Sequence, residues 1–212
     1  MSAREDILSR IRSALQDSPE APQIPREYRA ASGMDADGLV DLLVDRLVDY
    51  KAQVAVVPAA EVPATIASLL EGARSYVVPE GLDGGWLAAM DDAGTGGSRR
   101  RVDSPAEPLS VADLDGTDAV VTGSAVAVAE TGTIILDGSA SQGRRAISLV
   151  PDHHVCVVKA ADIAGILPEA LGRIDGTRPI TMISGPSATS DIELERVEGV
   201  HGPRRLDVII AR

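Results

Sequence analysis

Apolar residues along this chain gather into short β-branched runs, and the stretches between them repeat at helical spacing. The runs at Gln53–Val57, Tyr76–Val78, Ala119–Thr122, Val155–Val158 and Leu206–Ile210 suit buried parallel strands. Leu39, Leu42, Leu43 and Leu47 share one helical face, and Val62 to Leu70 predicts a second helix. Strands alternating with helices are βαβ logic, so a parallel sheet covered by helices is expected. Val126–Leu136 reads as two strands about a turn at Thr131-Gly132. Further along, Ala146–Val150 reads as a strand, Asp162–Ile174 as a helix and Thr181–Ile183 as a strand. Asp91 to Arg101 has no periodicity and reads as a long loop. At the start, Ser2-Ala-Arg-Glu5 is a capping box ahead of Ile7, Leu8, Ile11 and Leu15 on one face. This helix is expected to pack on its own domain, with a partner chain as the other possibility. Pro19, Pro22 and Pro25 follow it, so residues 1–34 read as a helical arm and linker, and 35–212 as one α/β domain.

Composition sharpens this. The chain has 212 residues, 44% of them hydrophobic but only 2% aromatic, with no Phe and one Trp. The core must be built from Val, Ile, Leu and Ala, and the stacking platforms used by single-stranded nucleic acid are missing. A net charge of −12 is repelled by phosphate backbones and anionic membranes, so neither is an expected partner. The basic clusters Arg99-Arg100-Arg101 and Arg144-Arg145 are of a size for one anionic metabolite. A single cysteine, Cys156, permits no internal disulfide and no iron–sulfur or Cys-rich zinc site. Inside Val155–Val158 it reads as an inert buried thiol. No signal peptide or apolar span of membrane length is evident, which points to the cytoplasm. No dinucleotide or NTP fingerprint occurs.

Candidate chemistry concentrates toward the C-terminal end. Ser184-Gly185-Pro186-Ser187 follows an apolar run, with Thr189, Asp191 and Glu193 next and His201-Gly202 before the last run. Small side chains and free N–H groups at such a sheet edge form an anion nest, where open α/β sheets bind ligands. They also suit simple capping, with Thr189 or Ser190 starting a helix, and both readings can hold together. Glu130-Thr131-Gly132-Thr133 offers a carboxylate as acid, base or anchor beside two hydroxyls, or an ordinary β-turn. His153, His154 and His201 lack the spacing of a metal motif and read as structural or ligand-facing.

Taken together, these segments resemble the lactate-utilization (LUD) domain family, in its lactate utilization protein C branch. The resemblance rests on Thr122-Gly123 with Ala129 to Thr133, on Leu149-Val150-Pro151 with His154, on the Ser184-to-Glu193 segment, and on Gly199-Val200-His201-Gly202-Pro203. It covers the second half strongly and the first half loosely. It implies a three-layer α/β/α fold similar to the ribose-5-phosphate isomerase, glucosamine-6-phosphate deaminase and CoA-transferase group. It also implies membership of a three-protein system oxidising L-lactate to pyruvate, whose other two proteins carry the iron–sulfur clusters. With one cysteine, this chain would have no redox cofactor of its own and would bind substrate, an anionic effector or partner subunits. A homo-oligomer stays open. The candidate ligand set is Thr131, Gly132, Thr133, Arg144, Arg145, His154, Ser184, Gly185, Pro186, Ser187, Thr189, Asp191, Glu193, His201 and Gly202, with Glu130 as the catalytic candidate. The competing class is a stand-alone enzyme acting on a phosphorylated or CoA-linked metabolite.

Overall fold

The computed structural model describes residues 2–16, 22–92, 99–186, 188–189, 197–198 and 202–212, and no side chains at 92, 188, 189, 197 and 198. Six parallel strands form the main sheet: β1 (Gln53–Val57), β2 (Tyr76–Pro79), β3 (Arg100–Asp103), β4 (Ala119–Gly123), β7 (His153–Lys159) and β12 (Arg205–Ala211). Their order is β1-β12-β7-β4-β2-β3. Alternation within each strand loads both faces, as a sheet covered on both sides requires. Val121, Val155, Val157 and Ile209 meet Val62, Ile66 and Leu70 of α3 (Val62–Leu69) and its C-cap, and also Met90 of α4 (Ala88–Asp92). On the opposite face Cys156, Val158, Val208 and Ile210 meet Val40, Leu43 and Leu47 of α2 (Ala36–Asp49). Val77 and Val120 on that face meet Leu114 of α5 (Val111–Asp115) and Ile147 of α6 (Arg145–Leu149).

A second sheet shares this outer layer. The predicted hairpin forms as β5 (Val126–Val128) and β6 (Thr133–Leu136), antiparallel about the turn. It is flanked by β8 (Ile163–Ala164) and β9 (Thr181–Ile183), in the order β8-β5-β6-β9. The architecture is therefore three layers, with the central sheet between helices on one side and helices plus a small sheet on the other.

Four expected elements differ. Ala146–Val150 lies in helix α6 rather than a strand. Periodicity cannot separate the two in so short an apolar run, and the helix lets Ile147 reach the sheet while Pro151 stops it. Asp162–Ile174 is not one helix. Ile163 and Ala164 extend to pair with β5, and only Leu167–Leu171 is helical, as α7, with Pro168 in its first turn. The Asp91–Arg101 loop includes the start of edge strand β3, whose arginines suit an exposed edge. Thr189 caps no helix, since Ala188–Thr189 (β10) pairs antiparallel with Val197–Glu198 (β11).

The N-terminal helix α1 (Ala3–Ala14) opens on the expected box, with the Ser2 hydroxyl accepting from Glu5 N and Glu5 Oε2 accepting from Ser2 N at 2.7 Å. It buries none of its residues, so the expected packing on its own domain is not seen. The segment after it is tied down: Ser32 N donates to Glu169 Oε1 at 2.9 Å, and Glu169 Oε2 accepts from Gly165 N at 2.7 Å. These donors, Ser32 first, hold the Glu169 carboxyl below its usual pKa. No helix among the described residues is long and apolar enough to cross a membrane.

Candidate functional site

Six of the predicted ligand residues line one cavity of about 280 Å³: Arg145, His154, Ser184, Gly185, Pro186 and Gly202. That volume sits at the small end of ligand pockets. Ser148, Thr181 and Leu206 complete its polar and apolar walls. The cavity lies beside the amino-terminal ends of β7 and β12, where His154 stands opposite Leu206. This corrects the expectation drawn from open α/β sheets. The Ser184 loop ends a strand of the small mixed sheet, so the site is not at the carboxyl edge of the parallel one.

Each wall has a local cause. Arg145 opens α6, and Ser148 falls one turn later on the same helical face. The Arg145 guanidinium is exposed and, among the described residues, makes no ion pair or side-chain hydrogen bond. A free planar fork of donors beside hydroxyls suits a carboxylate or similar oxyanion. Strand alternation turns His154 to the same face as Cys156, and the residue is 1% exposed. One ring nitrogen, Nε2, lies 2.7 Å from Thr122 Oγ1. Burial first, and the neighbouring His153 second, push the His154 pKa down to about 4, so the ring is neutral at ordinary pH. Cys156 is also fully buried and its pKa is pushed up to about 12, so it is an inert thiol.

The glycine-rich loop is held by close packing. Gly185 has φ +85°, and a Cβ there would sit 2.6 Å from the Cβ of Tyr50. Gly185→Ala is expected to lower stability by about 2 kcal/mol, seen as a lower Tm, because it adds both strain and a clash. Ser184 Oγ lies 2.8 Å from Thr133 Oγ1, which lies 2.8 Å from Thr131 Oγ1. This hydroxyl chain ties the hairpin turn to the cavity wall. Gly132 (φ +59°) seats the same turn against Arg46 of α2.

Thr131, Gly132 and Thr133 stand behind the cavity wall rather than lining it, and Arg144 and Glu130 are directed elsewhere. Arg144 does not line this cavity, though it borders two others. Its Nε and Nη2 grip Asp103, at 2.9 and 2.7 Å, and Nη2 also donates to Leu109 O. The Asp103 side chain is only 3% exposed, so this carboxylate claims the nearest cation. Glu130 is half exposed, pairs with Arg29, and is not among the residues lining the cavity. Ser187, Asp191, Glu193 and His201 lie outside the described residues, and of Thr189 only the backbone is described. Among the described residues no three His, Cys, Asp or Glu side chains gather as a metal-ligand set.

Sequence reasoning did not assign Thr122, Ser148 or Thr181. Thr122 carried a signal, because a hydroxyl inside the apolar run Ala119–Gly123 must find a partner once the strand is buried.

Comparison with known proteins agrees with this architecture. The LUD domain family model matches residues 40–211. Lactate utilization protein C of Deinococcus radiodurans is 45% identical over 212 residues, covering 98% of this chain and 95% of that protein. Lactate utilization protein C of Bacillus subtilis is 36% identical over 98 residues, 42% of this chain and 40% of its own length. A crystal structure of a DUF162 family protein from Deinococcus radiodurans superposes with a TM-score of 0.69 at 38% identity, covering 84% of this chain and 99% of that one. With a family model spanning most of its length and a relative aligned nearly end to end, this chain belongs to the LUD domain family.

Proposed function

We propose that this chain is a lactate-utilization protein that works as the component without iron–sulfur clusters in a system oxidising L-lactate to pyruvate, and that its cavity holds a small carboxylate. The observation that carries the site assignment is the Arg145 guanidinium, without an ion pair among the described residues, in a small cavity with Ser148, Thr181 and Ser184. Two relatives bear the name lactate utilization protein C, and one of them aligns over nearly the full chain. In this reading Arg145 anchors the carboxylate, the Thr181 and Ser184 hydroxyls complete its hydrogen bonds, and buried His154 closes the inner wall. Iron–sulfur clusters on partner proteins would supply the electron acceptor.

Two measurements test this. The rate of anaerobic L-lactate oxidation by the iron–sulfur partners, with an artificial electron acceptor, is expected to depend on addition of this chain. A rate indifferent to the chain overturns the system assignment. Arg145→Met is expected to weaken carboxylate binding to the isolated chain roughly 10- to 100-fold, the loss of a charge-assisted pair. Glu130→Gln, whose partner is the exposed Arg29, is expected to leave binding unchanged. Undiminished binding to Arg145→Met would move the anchor elsewhere.

A further inference from the structure

The polar groups behind the cavity form a directed chain. Gly123 O can only accept, so the Cys156 thiol, 3.8 Å away, donates to it. Cys156 Sγ then accepts from Thr122 Oγ1 at 3.8 Å, which uses the single hydroxyl proton of Thr122. With that proton on Cys156, the Thr122 oxygen accepts from His154 Nε2 at 2.7 Å; with the proton on Nε2 instead, the roles reverse. A neutral imidazole has one ring proton, and the first arrangement places it on Nε2. Nδ1 is left with a bare lone pair. It is buried and has no hydrogen-bond partner among the described residues, in a residue that lines the cavity. A buried acceptor without a donor is uncommon in folded proteins and calls for an explanation.

We infer that His154 makes this cavity selective for 2-hydroxy acids over 2-oxo acids. The inference rests on the carboxylate site proposed above. With the carboxylate on Arg145, a ligand hydroxyl donates its proton to His154 Nδ1 and satisfies the orphan acceptor. A 2-oxo acid brings a carbonyl oxygen to the same place, so two acceptors face each other and neither is satisfied. A site built to hydrogen-bond a hydroxyl discriminates strongly against the analogue lacking one. Thr122 acts as a positioning residue, because it fixes which nitrogen carries the proton.

The test uses the full-length chain, with L-lactate, pyruvate and propionate as probes in calorimetric titrations, and ¹⁵N NMR of the His154 ring. The expected result is an Nε2–H tautomer and L-lactate bound at least about tenfold more tightly than either other acid. Thr122→Val, which keeps the branched shape, is expected to release the tautomer and reduce the preference while retaining carboxylate binding. An Nδ1–H tautomer in the native chain, or equal affinities for L-lactate and pyruvate, overturns the inference and leaves the carboxylate site standing. Failure of all three acids to bind removes the site itself, and the inference with it.

Discussion

Replacing Arg144 by methionine is expected to lower the stability of the chain by about 3 kcal/mol, the scale for leaving one member of a buried ion pair behind. The guanidinium is partly exposed, but its partner Asp103 is not. Removing the arginine leaves a carboxylate whose remaining donor is Leu109 N, at 2.9 Å. The same change frees Leu109 O, which Arg144 also bonds. Arg144→Met combined with Asp103→Asn is expected to recover much of the loss, because no uncompensated charge then remains. Urea unfolding midpoints for the two single variants and the double variant measure this. A midpoint for Arg144→Met within about 0.5 kcal/mol of the native chain would mean that water already reaches Asp103 and that the pair is ornamental.

The second large effect is an acid-side loss of stability set by His154. A solvated histidine ring titrates at 6.5, and this one is held to about 4 in the folded chain. Above pH 6.5 both the folded and unfolded states carry it neutral, and its contribution is flat. Between pH 6.5 and 4 the unfolded chain takes up a proton that the folded chain refuses, so stability falls as pH falls. Below pH 4 the folded ring protonates as well and the loss levels off, at about 3 kcal/mol. His154→Gln keeps a side-chain donor for Thr122 and removes the titration. The difference in unfolding free energy between variant and native chain should therefore move in favour of the variant from neutral pH to pH 4. Parallel pH profiles would show that water or a shifted loop lets the buried ring protonate freely.

Much of the framework is legible in the sequence because the strands are apolar on both faces. A run such as Val155–Val158 has no alternative environment in a chain of this composition. The hairpin at Thr131-Gly132 is equally plain, since only glycine enters the left-handed region at that turn without strain. What escapes are elements decided by partners distant in the chain. The helix at Arg145–Leu149 depends on a gap between Val77, Leu114 and Val120. The two-residue strand Ile163–Ala164 exists because β5 offers it an edge. At the site, Arg145 and His154 can be read from residue type and neighbourhood. The ion pair of Arg144 is not legible, because nothing local announces that Asp103 is buried beside it. The contact of His154 with Thr122 lies further still from sequence, being set by strand register.

The strand order also bears on how the chain is made. β12 is inserted between β1 and β7, with Gln53 opposite Asp207. During synthesis β1 therefore emerges, and waits, without its strand partner until Arg205–Ala211 has been translated. Such long-range closure slows folding and leaves apolar strand edges open to other nascent chains. Half-made copies should thus depend on holding chaperones more than the finished three-layer body does, and crowded expression should yield aggregates rich in C-terminally incomplete chains.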